Sequence, residues 1–201
     1  MSLVVMKFGG TSVEDATAID RTASIVAGRV AAGKQPVVVV SAMSKVTDQL
    51  LAGAAAASRG DRTGALAISS RLRSRHRDTA AALVQDSKAC AALQTSIEHE
   101  FDALDEVLRG LAAILELTPR ISDLIVSYGE RLSSAMIAQA FCERGLNAIH
   151  IDSREVILTD SQYQKAIPQD ALIEERCLLK VKPHVDAGLV PIMGGLSLIH
   201  I

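Results

Sequence analysis

The chain has 201 residues, enough to bury a sizeable core, and one large domain is the expectation. Its net charge of −2 argues against a nucleic-acid-binding protein, and no apolar run reaches the roughly 18 residues that a membrane span needs. A content of 49% hydrophobic but only 2% aromatic residues suits helices layered on a sheet better than a small β-sandwich.

Leu3-Val4-Val5-Met6-Lys7-Phe8 is a short apolar run that reads as a strand covered on both faces. No charged leader or cleavage site precedes it, so no secretory signal is expected. Gly9-Gly10-Thr11-Ser12 follows, and a helical pattern starts at once, with Ser12 and Asp15 resembling a capping box. Ala16, Ile19, Ala23, Val26 and Val30 recur at helical spacing until Gly33. Pro36 then opens Val37-Val38-Val39-Val40, the strongest strand signal in the chain. The start is therefore β-α-β, which implies parallel strands and a right-handed crossover.

The second strand leads into a hydroxyl-rich loop, Ser41-Ala42-Met43-Ser44-Lys45-Val46-Thr47-Asp48, and then a helix over 49–58. Arg59, Arg62, Arg71, Arg73, Arg75 and Arg77 crowd the next stretch, which reads as the solvated face of a helix. Residues 80–117 are again mostly helical, so about 50–120 is a helical insertion between sheet elements. Leu124-Ile125-Val126-Ser127-Tyr128-Gly129-Glu130-Arg131 leads into a further helix closed at Gly145. Residues 148–152 read as a third strand, 156–160 as a short fourth, 169–187 as a last helix, and 189–193 as a further strand. The alternation is α/β throughout.

An anion site is expected where the first strand delivers its end to glycines and a helix N-terminus, with Lys7 beside it. Gly28-Arg29-Val30-Ala31-Ala32-Gly33-Lys34 is a decoy for a phosphate loop: Gln35 stands where Ser or Thr is required, and the residues end a helix. Ligands of open parallel sheets collect at the carboxyl ends of the strands. Lys7, Gly9, Gly10, Ser41 and Thr47 therefore converge on one crevice, with Glu130, at the start of a helix, placed to join them. His76, His99, His150, His184 and His200 are scattered and read as structural or surface residues. Arg131 reads as a buttress of the helix start, and Asp160 is left out of the site. Cys90, Cys142 and Cys177 are odd in number and without metal-ligand spacing, as expected of reduced thiols in a cytoplasmic protein, and no metal ligand is assigned.

Lys-Phe-Gly-Gly-Thr-Ser at 7–12, Val-Val-Val-Val-Ser-Ala-Met-Ser-Lys-Val-Thr-Asp at 37–48, and Leu-Thr-Pro-Arg with Ile-Val-Ser-Tyr-Gly-Glu-Arg-Leu-Ser-Ser within 117–134 resemble the aspartate kinases of the amino acid kinase family. The resemblance covers residues 3 to about 195. It implies a three-layer αβα sandwich with a mainly parallel central sheet, of the amino acid kinase or carbamate kinase-like type. It also implies ATP- and Mg²⁺-dependent phosphorylation of the L-aspartate β-carboxylate to 4-phospho-L-aspartate, the first step toward lysine, threonine and methionine. By this analogy Lys7 is the catalytic residue against the transferring phosphate. Gly9 and Gly10 bring backbone up to that phosphate, and Ser41, Thr47 and Glu130 surround the aspartate.

Family members continue past this point with a Gly-Arg-Gly-Gly-Ser-Asp motif, a nucleotide-binding half and paired regulatory domains. The chain is thus expected to be the N-terminal portion of the catalytic domain, with residues 197–201 departing from the family's pattern. Such a fragment is expected to keep the aspartate side of the site without holding ATP productively, and the full-length form to be a homo-oligomer. The alternatives are a non-catalytic ligand-binding or oligomerising fragment of the same fold, or a related kinase acting on another acid.

Overall fold

The computed structural model describes residues 2–195; the expectation for 197–201 lies outside the described residues. Four parallel strands, β1 (Ser2–Phe8), β2 (Lys34–Val40), β3 (Ala148–Ile151) and β4 (Val190–Gly194), form one sheet in the order β1-β2-β4-β3. β1 pairs with β2 through a register that sets Lys7 against Val39 and Phe8 against Val40. Handedness explains the layers. The crossover from β1 to β2 runs through α1 (Ala16–Ala31), and that from β2 to β3 returns through α5 (Pro119–Glu143); both step the same way along the sheet and place their helices on one face. The crossover from β3 to β4 steps back, so its helices, α6 (Asp170–Arg176) and α7 (Lys182–Asp186), lie on the other face.

The two faces are unequally covered. Val38, Val40, Val190 and Ile192 pack under α1 and α5 in the main core, whereas Val37, Ile151, Val156, Val181, Val185 and Met193 form a small second cluster. β1 lies at the sheet edge beyond the reach of α6 and α7. Leu3 and Val5 are therefore 61% and 64% exposed, and the strand is not covered on both faces as its apolar run suggests. With Val37, Val39, Leu178 and Val181 they line an open apolar trough of about 610 Å³.

Three helices stand between β2 and α5: α2 (Val46–Ser58), α3 (Arg62–Leu83) and α4 (Ser87–Ile114). The carboxylates of Asp61 and Asp86 accept from the N–H groups of Gly64 and Ala89 and so start α3 and α4. Thr118 caps α5 ahead of Pro119, so the segment around Leu124 is already helical rather than a lead-in. α6 reaches α7 through a π turn at Cys177–Val181. Pro183, without an N–H, follows that turn, and a widened turn is how a helix accommodates the missing bond.

Two local expectations are overturned. Residues 156–160 do not make a strand of the sheet. The chain there closes on itself, with a single antiparallel bridge between Thr159 and Pro168 and the Asp160 carboxylate accepting from the N–H groups of Gln162 and Ile167. Nor does a long helix begin directly after the glycines. Gly10–Val13 is a 3-10 turn, and α1 starts at Ala16 with Asp15, not Ser12, accepting from the Ala18 N–H at 2.8 Å.

The arginines of α3 are less solvated than their density suggests. Arg73 is paired with Glu98, Asp102 and Asp105 of α4. Beside it His76 is fully buried, donates from Nδ1 to the Leu72 carbonyl at 2.7 Å, meets the Phe101 ring edge-on, and has no partner at Nε2. Burial, opposed by the Leu72 contact and reinforced by the charge of Arg75, lowers its pKa to about 4. An unfolded histidine takes its proton near 6.5, so the neutral ring's contribution is complete above that pH and is lost as the pH falls toward 4. That linkage is worth about 3 kcal/mol. The variant His76→Leu is expected to lose much less stability than the parent between neutral pH and pH ~4.5, read from urea-unfolding midpoints at both.

Candidate active site

The carboxyl ends of the strands form the site. Chains leaving β1 and β2 turn to one face and the chain leaving β3 turns to the other, which opens a crevice above β4 between them. Its floor is tightly joined. The Ser41 N–H donates to the Phe8 carbonyl at 3.0 Å, Ser44 N–H to the Gly10 carbonyl at 3.1 Å, and Gly195 N–H to the Val40 carbonyl at 2.7 Å. Ser133 of α5 donates its hydroxyl to the Ser41 carbonyl at 2.8 Å, and Ser153 donates to the Gly194 carbonyl at 2.6 Å. The loop after β2 is thereby pinned to β1, to the turn after it and to α5.

Glu130 is the chemical centre of this floor. It lies in the middle of α5, not at a helix start, and is 7% exposed. Gly194 sits directly over it: a Cβ there would come within 3.1 Å of the Glu130 Cβ. Burial pushes the Glu130 carboxyl up to about 7, against backbone N–H contacts from Glu130 itself and from Ala42 that favour the anion. Its Oε2 is buried without a hydrogen-bond partner. A buried carboxylate with an unused oxygen at the mouth of a parallel sheet is fitted to receive a cation. Around it lie Ser127, Arg131, Ser134, His150, Asp152, Ser153, Arg154 and Gly194. Several of these are committed to one another. Arg131 pairs with Glu100 at 2.5 Å and stacks over Tyr128 within helix α5, Arg154 pairs with Asp152, and Ser134 contacts the His150 Nε2 at 3.1 Å.

The other sequence-derived residues fall as follows. Gly9 and Gly10 occupy the turn after β1, Ser41 begins the loop after β2, and Thr47 lies in the first turn of α2; all four stand beyond the carboxyl ends of β1 and β2, and none lines the cavity around Glu130. Gly10 is required by the loop itself, since a Cβ there would stand 3.0 Å from the Ala42 carbonyl oxygen. Gly9 has open space around it. Lys7 is exposed on β1 at the same end of the sheet, but its register with Val39 puts it on the face of Leu3 and Val5, opposite α5. It therefore does not lie beside Glu130 and does not line the cavity around it. The Asp15 carboxylate takes the N-terminus of α1, whereas the 3-10 turn that follows Gly9 carries no side-chain cap. Among the described residues no group of three or more His, Cys, Asp or Glu could hold a metal ion.

Three further residues escaped the sequence reading. Gly129 and Gly194 admit the Ala42 methyl and the Glu130 backbone, and Arg75 reaches the site loops from α3. A glycine beside Glu130 within a helix was the visible signal for the first.

Comparison with known proteins bears on the family and the fold. The chain is 31% identical over 193 residues to lysine-sensitive aspartokinase 3 of Escherichia coli K12, covering 96% of this chain and 40% of that protein. It is 33% identical over 171 residues to the aspartokinase of Chlamydia trachomatis serovar D, covering 85% and 35%. It therefore spans about 40% or less of the length of these relatives. Among solved structures, E. coli aspartokinase III in complex with aspartate and ADP superposes with a TM-score of 0.82 at 27% identity, over 97% of this chain and 40% of that one. The aspartate kinase of Clostridium acetobutylicum shares the fold at a TM-score of 0.69 and 20% identity. The profile of the amino acid kinase family matches residues 2–200, so with the parallel sheet and the crevice at its carboxyl ends the chain belongs to the amino acid kinase family.

Proposed function

We propose that this chain is the aspartate-recognising part of an aspartate kinase, an enzyme that phosphorylates the L-aspartate β-carboxylate with ATP to give 4-phospho-L-aspartate. The observation that carries the reading is the buried Glu130 carboxylate with its free Oε2. An α-ammonium group matches it in charge and hydrogen-bonding capacity. Ser41 and Thr47, in the segment that leaves the carboxyl end of β2, are assigned to supply hydroxyls to the substrate's carboxylates.

Lys7 serves the other end of the substrate. Lys7 stands at the carboxyl end of β1, two strand spacings or about 10 Å from β4 and on the face opposite α5, so its side chain is assigned to reach the substrate from around the strand ends. A carboxylate nucleophile titrates near ~4 and is already ionised at neutral pH, so no general base is required. The reaction joins a β-carboxylate oxygen to the γ-phosphorus and releases ADP. Its barrier is lowered chiefly by neutralising two approaching anions, the task assigned to Lys7 and to the backbone of Gly9 and Gly10. ATP is the phosphoryl donor, and Mg²⁺ arrives on its phosphates.

The relatives with aspartate kinase names are more than twice as long as the matched region. The apolar trough beside β1 is an uncovered part of the fold. For the chain by itself we therefore expect aspartate binding without productive ATP binding. Calorimetric titration tests this: L-aspartate should bind better than L-glutamate or N-acetyl-L-glutamate, and Mg-ATP should show no micromolar site. Micromolar Mg-ATP binding with acyl phosphate formation would contradict the half-site reading, and preference for another acid would contradict the substrate.

A further inference from the structure

Arg75 is a long cation on α3 that makes no acidic pair among the described salt bridges and instead spends its guanidinium on two backbone carbonyls from different loops. Nη1 donates to the Ser44 carbonyl at 2.7 Å and Nη2 to the Glu14 carbonyl at 2.9 Å. Both loops edge the crevice. Ser44 belongs to the segment after β2 that carries Ser41 and Thr47, and Glu14 ends the turn after β1 that carries Gly9 and Gly10. The same residue donates its N–H to the Gly10 carbonyl at 3.1 Å. Ser44 is therefore held at both of its peptide groups, by Gly10 through its N–H and by Arg75 through its C=O. The adjoining residue Lys45 takes a left-handed conformation at φ 68°, a backbone state that side chains other than glycine seldom adopt without support from their surroundings.

The base of the arginine is itself fixed. Thr79, one turn on, donates its hydroxyl to the Arg75 carbonyl at 2.8 Å, and the neighbouring His76 is sealed in the core against Phe101. A guanidinium is the side chain suited to this place, because its planar fork presents two parallel donors with little further loss of freedom. A lysine offers one compact charge and satisfies the two carbonyls less well.

We propose that Arg75 is a positioning residue for the phosphoryl-transfer site, a clasp by which the helical insertion holds the turn after β1 and the loop after β2 at the separation needed to grip one substrate between them. Its role for substrate rests on the aspartate kinase reading; its role in holding the loops does not. Loss of the clasp frees two half-buried carbonyls and lets the loops part. Because orientation at a reacting centre is lost over about 1 Å, binding and transfer are expected to suffer well beyond any change in overall stability.

The test uses the full chain with Arg75→Ala, Arg75→Met and Arg75→Lys, each first shown folded by its circular dichroism. Amide hydrogen exchange is read at Ser12, Ser44, Val46 and Gln49, whose N–H groups are bonded within the two loops and the start of α2. The proposal predicts at least tenfold faster exchange there in Arg75→Ala and Arg75→Met and unchanged exchange at β4 and the middle of α5. Arg75→Lys should fall between these variants and the parent. Millimolar guanidinium should restore protection in Arg75→Ala, where room for it is left, and not in Arg75→Met. L-aspartate affinity should follow the same order. Parent-like exchange in both loops of Arg75→Ala, or loosening spread uniformly over the molecule without guanidinium rescue, would overturn it. The exchange readout needs no ligand, so it decides the clasp even where the parent chain fails to bind aspartate, an outcome that would instead refute the substrate reading.

Discussion

Replacing Glu130 by glutamine is expected to weaken L-aspartate binding at least about a hundredfold at pH ~8, while making the unliganded chain more stable. Both effects come from one buried charge. In the folded chain the carboxyl titrates at about 7, above its ordinary 4.5, because burial disfavours the anion. Its folded-state pKa is raised, so the stability linked to the neutral form is complete below 4.5 and is lost as the pH rises through 7. The loss amounts to about 3 kcal/mol, and Glu130→Gln removes the ionisation that causes it. An ammonium ligand reverses the sign: it pairs with the anion and draws its pKa down again. Aspartate affinity in the parent should therefore rise with pH up to and past about 7 and release a proton on binding at lower pH. In Glu130→Gln the affinity should be low and nearly flat with pH. Calorimetry in two buffers of different ionisation enthalpy reads both the affinity and the proton release. His76 acts in the opposite sense on stability, losing its contribution as the pH falls, so over the shared range from 4.5 to 6.5 the two buried groups largely offset one another.

Gly129→Ala should destabilise the chain by about 1–2 kcal/mol and loosen the loop after β2, although alanine is ordinarily the better helix residue. The competing magnitudes decide the sign. Helix propensity favours alanine over glycine by about 1 kcal/mol in a helix interior. At this position, however, the new Cβ would lie 2.7 Å from the Ala42 Cβ and 3.4 Å from Leu50 Cδ1 and Val46 Cγ1. The Ala42 methyl is fixed directly to backbone, so relief requires moving the loop that carries Ser41, and overpacking of this kind costs about 1–3 kcal/mol. Gly129→Val should be worse. Gly110→Ala is the matched control: it lies in α4 with nothing within 4 Å of its Cβ position, and it should gain up to about 1 kcal/mol. Thermal unfolding of the three variants gives the order, and aspartate affinity should fall only in the Gly129 pair.

The parts of the fold that were legible in the sequence are those set by local periodicity. Val37-Val38-Val39-Val40 between Gly33 and a hydroxyl-rich loop announces a buried parallel strand, and it is the second strand of the sheet. The exposure of Leu3 and Val5 was not legible, because it follows from β4 entering between β2 and β3 and leaving β1 at the edge. Residues 156–160 carry a strand-like composition, but their hydrogen bonds are taken by a local excursion that ends at Pro168. Arg73 and Arg75 looked like a solvated face because their partners come from α4 and from the loops near residues 14 and 44, beyond any helical period.

The candidate site divides in the same way. Glu130 was singled out from the sequence as a carboxylate beside the crevice, and the structure puts that carboxylate under Gly194 at the end of the sheet. The pressure on its pKa was not legible, since the burial is supplied by β4 and by the loop at Ala42. The glycines after β1 suggested backbone open to phosphate. At Gly10 the first demand comes instead from the Ala42 carbonyl of the neighbouring loop.

The central claim is that Glu130 is the buried carboxylate that receives the substrate's ammonium group, and its titration tests this most directly. Carbon-13 NMR of side-chain-labelled glutamate, assigned through the Glu130→Gln variant, gives the pKa in the free chain and with saturating L-aspartate. The account predicts a free value of about 7 and a fall into the ordinary carboxylate range when aspartate is bound. A free value near the ordinary 4.5, or a raised value that aspartate leaves unmoved, would contradict it.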